Sequence, residues 1–354
     1  MMPSDESAAA LQVADSKAAA PAMPQTVKVE KTIGLPAIGF CVTQGEAATT
    51  LFVGMSDFAV HRIDMAAEKI EAIPIGQERH SSYVTGLVRA GDKLVSGGYD
   101  GALIWWNMAS GEVIRRVESA HSKWVRMLAV SPDASRVASV ADDMTTRLWD
   151  ASCGDLIATW NDYEIKTPHG FPSMLYAVTI SRDGRWLATG DKTGIVLVRD
   201  LATGEIAARL ETPIMYTWDP KARRHSIGGI RALAFSNDSA MLAIGGMGKV
   251  GNLDHLDGSS RVEVFRWQDN VRLYGIEDNK LKGLVEALHF GPGDAWLAAG
   301  GGDNSGFVTI YRMDDGKLAA QEKVGSHVHD FVFGTSPDTV YAISHNQAAI
   351  IKLT

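Results

Sequence analysis

Two sets of polar residues in this chain carry the side chains that enzymes use for proton transfer. They are His80, Ser96 and Asp100 in the first set, and His121, Ser139 and Asp143 in the second. An imidazole beside a carboxylate is the arrangement of a general base and the group that orients it. The pair formed by His121 and Asp143 therefore imitates a catalytic pair, and its surroundings decide between a catalytic and a structural role.

The two sets are copies of one segment. The serine, the aspartate and a tryptophan of the first copy return 43 residues later in the second, and the histidine returns 41 residues later. A repeat of roughly 40–45 residues that ends in Trp-Asp or a relative of it is typical of a β-propeller blade. Each copy contains four short runs rich in β-branched and apolar residues, separated by turns, which predicts a small four-stranded sheet.

The His, Ser, Asp and Trp at this spacing resemble the hydrogen-bonded tetrad of WD-repeat proteins. The resemblance places the histidine on the loop that leads into a blade, the serine on the second strand, the aspartate on a turn and the tryptophan on the third strand. Each of these polar groups needs a partner when buried, and a chain Trp–Ser–His–Asp satisfies all four. We therefore interpret both sets as structural, with no catalytic residue. The tetrads are His80, Ser96, Asp100 and Trp106, and His121, Ser139, Asp143 and Trp149.

Five further units are worn copies of the same pattern, which predicts an all-β, seven-bladed β-propeller with four-stranded antiparallel blades. The first unit begins with the run at residues 37–42, and the seventh stops after its third strand. The alternating run at residues 26–32 has nothing else to pair with, so we expect this N-terminal strand to close the last blade. The predicted organisation is a disordered tail rich in Ala, Ser and Asp at residues 1–25, followed by a propeller at residues 26–354.

Composition limits the classes of partner. The formal net charge is −8 among 354 residues, whereas nucleic-acid binders usually carry a basic excess, so we expect no nucleic-acid partner. The chain has neither a secretion signal nor an apolar run of ~18–20 residues, which predicts no membrane contact and a cytoplasmic location. Cys41 and Cys153 fall in different predicted blades, so we expect no disulfide.

Long loops concentrate on one sector of the predicted ring. Residues 161–173, 211–229, 247–260 and 301–306 all fall on the face that carries the loops leading into the blades, the top face, in blades 4 to 6. Aromatic and arginine side chains on such loops favour an interface; the alternative is that the loops only pack on one another. The side chains are Tyr163, His169, Phe171, Tyr216, Trp218, Arg223, Arg224 and His225.

A second candidate surface surrounds the opening of the central channel. The resemblance to WD-repeat proteins implies partner contacts at the start of each inner strand, and the first blade supplies Ile38 at this position. Arg126 and Arg231 are predicted to form ion pairs with Glu286 across the channel, to receive an acidic or phosphorylated segment, or to remain solvated. The residues implied are Thr85, Arg126, Tyr176, Arg231, Glu286 and His329, with Tyr83 and Trp124 two positions earlier in their units.

Neither of two metal-like motifs predicts a bound ion. Residues 252–258 are rich in Asp and Gly but lack the spacing of an EF-hand loop. His327 and His329 lie on one face of a predicted strand, and no third ligand is identifiable. We expect neither a metal nor a cofactor.

The sequence as a whole predicts a non-catalytic scaffold for protein–protein interaction, which binds a partner protein or peptide on the top face and the loops of blades 4 to 6. The alternatives are a propeller enzyme or small-ligand sensor with its site at the channel mouth, and a self-associating structural unit.

Overall fold

A computed structural model describes residues 23–219, 221, 223–251, 253 and 258–354. The predicted tail therefore lies outside the described residues, except for residues 23–25, and so does most of the Asp/Gly-rich segment 252–258. Seven four-stranded antiparallel sheets and one two-stranded sheet make up the described part of the chain. Its only helices are three single 3₁₀ turns, at Pro213–Met215, Trp267–Asp269 and Pro292–Asp294.

The strands follow one another through the blades in sequence order. Strand β1 is Val27–Gly34. Blade 1 contains β2 (Gly39–Gln44), β3 (Thr50–Met55), β4 (Val60–Asp64) and β5 (Ala72–Pro74); blade 2 contains β6 (Val84–Ala90), β7 (Lys93–Gly98), β8 (Leu103–Asn107) and β9 (Val113–Val117). Blade 3 contains β10 (Val125–Val130), β11 (Arg136–Ala141), β12 (Thr146–Asp150) and β13 (Leu156–Trp160); blade 4 contains β14 (Leu175–Ile180), β15 (Trp186–Asp191), β16 (Ile195–Asp200) and β17 (Ile206–Glu211).

The second half of the ring begins with an extra hairpin. Strands β18 (Tyr216–Asp219) and β19 (His225–Gly228) pair within the loop that leads into blade 5, which the sequence predicted only as a long loop. Blade 5 contains β20 (Ala232–Phe235), β21 (Met241–Met247), β22 (Ser259–Arg266) and β23 (Val271–Lys282); blade 6 contains β24 (Leu284–Phe290), β25 (Trp296–Gly302), β26 (Gly306–Arg312) and β27 (Leu318–Val324); blade 7 contains β28 (Val328–Phe333), β29 (Thr339–Ser344) and β30 (Gln347–Leu353).

The N-terminal strand closes the ring, as predicted. Strand β1 pairs antiparallel with β30, from Val27 opposite Leu353 to Gly34 opposite Gln347, and completes the four strands of blade 7. Its apolar side chains enter two cores: Val27 is buried among residues of blades 6 and 7, and Ile33 among residues of blades 7 and 1. Strands β1 and β30 thus hold each other in place.

The strands of each blade carry apolar residues at successive positions, and alternate side chains of a strand point to opposite sides of the sheet. Both faces of each blade are therefore apolar. The core between blades 2 and 3 shows the result: Trp105 of β8, Val125 of β10 and Trp149 of β12 are buried together. None of the helices among the described residues has the length and apolar character needed to span a membrane. Cys41 and Cys153 are both free, in agreement with the expectation of no disulfide.

The closure by β1 predicts a position-specific loss of stability. Ile33→Ala removes a buried side chain that joins blades 7 and 1, so the free energy of unfolding should fall by roughly 2–5 kcal/mol. Thr32→Ala, at an exposed position of the same strand, is the matched control and should change it by less than about 0.5 kcal/mol. Denaturant unfolding measures both. Equal effects of the two substitutions would contradict the closing role of β1.

Candidate functional site

The structure brings the four polar side chains of blade 2 together. Trp106 Nε1–H donates to Ser96 Oγ over 2.8 Å, and Ser96 Oγ lies 2.8 Å from His80 Nε2. His80 Nδ1 lies 3.0 Å from both oxygens of Asp100. Since the serine oxygen accepts from the indole, its own hydrogen faces Nε2, and the proton on Nδ1 is donated to the carboxylate. The chain of donors and acceptors is complete.

Blade 3 repeats this arrangement. Ser139 Oγ lies 2.9 Å from Trp149 Nε1 and 2.7 Å from His121 Nε2, and His121 Nδ1 lies 3.2 Å from Asp143. Burial lowers the pKa of His121 although Asp143 opposes the shift. Ser139 is fully buried and its hydroxyl is already shared between two rings. A substrate cannot reach it, which favours the structural interpretation of the set.

Blade 4 has a substitute for this tetrad that the sequence analysis missed. Thr189 occupies the position of Ser139, since each lies at the same step of the pairing between the first and second strands. The Tyr163 hydroxyl donates to Thr189 O over 2.7 Å and accepts the Leu197 N–H at 3.1 Å. Tyr163 is therefore a buried structural residue that links two strands of blade 4, and it does not belong to the predicted loop interface. Its separation from Thr189, 26 residues, hides the equivalence in the sequence.

A β-bulge positions the predicted channel residues. In six blades the pairing between the first and second strands skips one residue, and the skipped residue turns out of the ladder. In blade 5, Arg231 stands just before β20 and its backbone N–H donates to Gly245 O. The skipped residues are Phe40, Thr85, Arg126, Tyr176, Glu286 and His329. With Arg231 they line one cavity of about 190 Å³ at the channel mouth.

The assignment of Ile38 to this ring is wrong by two residues. Phe40 occupies the position, whereas Ile38 corresponds to Tyr83 and Trp124. All three accept a hydrogen bond through their backbone oxygen from the turn after the second strand, from Ser56, Tyr99 and Asp142 respectively. The inner strand of blade 1 spans Gly39–Gln44 instead of the predicted 37–42, and this shift accounts for the error. The mouth gains an aromatic ring where a small aliphatic side chain was expected.

Arg126 is fixed in place by three aromatic rings and a carboxylate. Its Nε and Nη2 donate to the two oxygens of Asp142, both over 2.7 Å, and its Nη1 donates to the Tyr99 hydroxyl over 2.6 Å. The guanidinium carbon lies 4.9 Å from the ring centroid of Tyr99, and 5.2 Å from those of Trp124 and Tyr176. The predicted ion pair between Arg126 and Glu286 does not form, because Asp142 supplies a bidentate partner within the same blade.

Arg231 has no such partner. Its guanidinium carbon lies 3.7 Å from the ring centroid of Tyr176, and its Nε is shielded from solvent without a hydrogen bond to any residue that the structure describes. No ion pair joins it to Glu286 or to another carboxylate in the described part of the chain, so the second predicted cross-channel pair is also wrong. Arg126 and Arg231 thus both lie against the ring of Tyr176, but they differ in their other partners.

Glu286 lies beside three histidines. Burial opposes its ionisation, but the neighbouring His327 and the charge of Arg231 outweigh burial and lower its pKa to about 2. His345, which the sequence did not single out, joins the predicted His327 and His329, with His329 Nε2 lying 3.0 Å from His345 Nδ1. Burial and the nearby His327 lower the pKa of His329 to about 3. Among the residues that the structure describes, no group of three or more potential ligands fits a metal ion.

An aromatic row extends from the channel mouth across blades 1 to 3, consisting of Phe40, Phe58, Tyr83, Tyr99 and Trp124. Successive ring centroids are 5.8 Å apart from Phe58 to Tyr83 and from Tyr83 to Tyr99, and 4.4 Å apart in the stacked pair Tyr99–Trp124. Tyr83 is 41% exposed and Trp124 is 48% exposed. Phe58 has a φ of +72°, a conformation that costs a bulky residue strain. The row is an exposed apolar surface whose rings support one another.

The long loops of blades 4 and 5 pack together and still leave an aromatic side chain exposed. His169 stacks on Trp218 with ring centroids 3.7 Å apart, and the Tyr216 hydroxyl donates to Thr167 Oγ1 over 2.9 Å. Trp218 remains 40% exposed. Arg223 and Arg224 are exposed on the connection between β18 and β19. Mutual packing and an accessible surface, which the sequence posed as alternatives, therefore coexist here.

Sequence reasoning missed Tyr99, Asp142 and Lys192, which occupy one position in blades 2, 3 and 4. The backbone N–H of each donates across the first hairpin, to Tyr83, Trp124 and Met174. Tyr99 and Asp142 stand directly before the tetrad aspartates, 43 residues apart. This spacing was the available signal for the first two.

The tetrads predict a difference between two buried tryptophans of one core. Trp149→Phe removes an indole N–H that donates to Ser139, whereas Trp105→Phe removes an indole N–H that has no partner among the described residues. Since the loss of ring volume is the same, the unfolding free energy should fall by about 1–2 kcal/mol more for Trp149→Phe. Denaturant unfolding of both variants measures this difference. Equal losses would show that the hydrogen-bonded chain contributes nothing to stability.

Asp330 in the channel predicts a pH-dependent stability. Burial raises its pKa from 3.8 to about 7, although the N–H groups of Val42 and Phe331 oppose the shift. The folded protein thus holds this proton more tightly than the unfolded chain between about pH 4 and 7. Its stabilising contribution is complete below about pH 4 and is lost as the pH rises to 7.

Asp330→Asn removes this titration and keeps an oxygen for the Val42 N–H. The unfolding free energy of the unsubstituted protein minus that of the variant should fall by roughly 1–4 kcal/mol between pH 4 and 7. Urea unfolding across this range measures the difference, with Asp64→Asn, at an exposed position of β4, as the control for loss of one charge. A difference independent of pH would contradict the raised pKa.

Comparisons with known proteins agree with the repeat and with the fold. The family model "WD domain, G-beta repeat" matches residues 112–150, from the end of blade 2 through the third strand of blade 3. The target of rapamycin complex subunit wat1 of Schizosaccharomyces pombe is 34% identical over 108 residues, which are 30% of this chain and 32% of that protein. The apoptotic protease-activating factor 1 of Rattus norvegicus is 29% identical over 158 residues, 44% of this chain and 11% of that protein.

The nuclear distribution protein PAC1 of Arthroderma otae is 34% identical over 89 residues, which are 25% of this chain and 18% of that protein. In all three cases the match spans about a third or less of the relative's own length, and none of the three names is that of an enzyme. The matched repeat lies in the blade whose tetrad is complete, within a ring of seven four-stranded sheets. The chain is therefore a seven-bladed β-propeller that contains a WD repeat.

Proposed function

We propose that the chain is a non-catalytic scaffold that binds a partner protein or peptide on its top face, at the channel mouth and along the aromatic row. One observation carries this proposal: four of the five rings of the row form a continuous line, and Phe58, Tyr83 and Trp124 are each between 38% and 48% exposed. Exposed apolar patches on a soluble domain are typical of interaction sites, and aromatic residues dominate the energetics of interfaces.

The surface is ordered before a partner arrives, which reduces the entropy lost on binding. Asp142 and Tyr99 hold Arg126, and Arg126 in turn lies against Tyr99, Trp124 and Tyr176. The side chains at the centre of the face therefore have little freedom left to lose. A rigid platform of this kind suits a subunit of a larger assembly, and the Schizosaccharomyces pombe relative is named as a subunit of a complex.

The exposed Trp218 on the loops of blades 4 and 5 supports a second contact area for the same partner. The acidic net charge of −8 favours proteins over nucleic acids as partners. We propose the cytoplasm as the location of the chain, on the basis of the sequence features alone.

Selection of peptides from a displayed random library tests the proposal directly. Peptides that bind the unsubstituted protein should lose at least about tenfold in affinity, or about 1.4 kcal/mol, on Trp124→Ala, because this substitution removes the most exposed ring of the row. Ile157→Ala, at an apolar position that is 51% exposed on β13 of the same blade, is the matched control and should leave affinity unchanged. Fluorescence polarisation measures each dissociation constant.

Substitution of Trp218 by Ala in the same assay reports on the loops of blades 4 and 5. Peptides that bind Trp124→Ala as tightly as the unsubstituted protein would place the binding surface elsewhere. A partner that requires Trp218 and not Trp124 would move the surface to those loops.

A further inference from the structure

Each carboxylate at the channel mouth already has a cationic neighbour, Arg126 beside Asp142 and Arg231 near Glu286. Both carboxylate oxygens of Asp142 accept a hydrogen bond from Arg126. Glu286 Oε1 lies 3.7 Å from His327 Nε2, and the neighbouring His327 and Arg231 keep the pKa of this carboxyl low. A cationic group from a partner would have to take Asp142 away from Arg126 and leave that arginine unpaired, or add its charge beside Arg231 at Glu286, and both are costly in a partly buried site. The mouth is therefore poorly suited to a lysine or arginine side chain.

Arg231 is the exception among the charged groups of the mouth. Its guanidinium carbon lies 3.7 Å from the ring centroid of Tyr176, and no hydrogen bond or ion pair to a described residue uses its donors. Arg231 lines the cavity of about 190 Å³ at the channel mouth, a space that a partner's side chain can enter. A planar group with forked donors and a fixed orientation matches the two oxygens of a carboxylate.

Lys192 adds to the positive potential behind Arg231. Its side chain is 4% exposed, and its Nζ donates only to the Pro172 carbonyl, over 3.3 Å. Burial, together with the charges of Arg231 and Arg126, lowers the pKa of Lys192. Three cations thus stand against the two carboxylates of Asp142 and Glu286, which leaves one excess positive charge. The deeper Asp330 carries little charge below about pH 7.

We propose that Arg231 is the subsite for the carboxylate of an acidic side chain, aspartate or glutamate, in a bound peptide. A single carboxylate balances the excess charge, whereas a phosphate with a charge near −2 overcompensates it beside Glu286. Arg126 lies against both Tyr176 and Trp124, so the subsite adjoins one end of the aromatic row. The peptide therefore carries an apolar or aromatic residue close to its acidic one. This inference rests on the proposed function, for which it names the chemistry of the partner.

Parallel selections from a displayed library of random peptides test the subsite. The unsubstituted protein and Arg62→Gln should both enrich Asp or Glu next to an apolar residue, and Arg231→Gln should lose this preference. Arg62→Gln is the matched control because it removes the same charge at an exposed position of β4 outside the mouth. Arg231→Lys keeps the charge without the fork, so it should retain the preference at reduced affinity. Thermal melts establish that each variant is folded.

Synthetic versions of one selected peptide then separate the possible guests. Glu→Gln in the peptide should weaken binding at least about tenfold on the unsubstituted protein and less than about twofold on Arg231→Gln. A phosphoserine peptide that binds more tightly than the glutamate peptide would overturn the assignment of the carboxylate.

Peptides that require Trp124 but show no acidic preference would overturn the subsite and leave the proposed function standing. Failure to select any peptide that depends on Trp124 would overturn the proposed function, and the subsite with it. The two failures therefore give different results in the same experiment.

Discussion

A sheet that is apolar on both faces is stable only when it lies between two others, and the architecture of this chain follows from that constraint. Each blade places one face in the core it shares with the preceding blade and the other in the core it shares with the next, as Trp105 and Trp149 show between blades 2 and 3. A linear stack would leave two faces in water. The ring avoids this only because β1 returns to pair with β30, which makes the chain ends as important to stability as any core.

The same constraint determines where the chain is free to vary. Strand positions that face neighbouring blades must be apolar, and the tetrad positions must satisfy buried polar groups. The bulge on the first strand of a blade releases one residue from both demands, since that residue leaves the ladder and points toward the channel mouth. Phe, Thr, Arg, Tyr, Glu and His therefore occur at equivalent bulges around one ring. The side-chain type therefore varies most at the positions that packing constrains least.

The fold could be predicted from the sequence because the repeat is a regular spacing of residues along the chain. The spacing of 43 residues located blades 2 and 3, and the resemblance to WD-repeat proteins then implied the channel residues from Thr85 to His329. In blade 1, which lacks the tetrad histidine, the same reasoning missed Phe40 by two residues. Contacts across a hairpin could not be predicted from the sequence, for a different reason. Arg126 and Asp142 meet only when β10 and β11 pair, and the sequence suggested the more distant Glu286 as a partner. The structural role of Tyr163 was missed because a loop of different length delivers its hydroxyl to Thr189.

Arg126 and Arg231 show how identical side chains in one cavity take different roles. Both lie against Tyr176. Asp142 stands on the turn of blade 3 beside Arg126, whereas the equivalent turn residue of blade 4, the blade that precedes Arg231, is Lys192. A carboxylate at that position satisfies Arg126, whose Nε, Nη1 and Nη2 all donate within the protein, and Arg126 in turn orders the rings around it. The lysine gives Arg231 no partner and increases the local positive potential. A guest group can therefore gain a charge-assisted hydrogen bond from Arg231 without breaking an existing one, whereas engaging Arg126 would first require the loss of two.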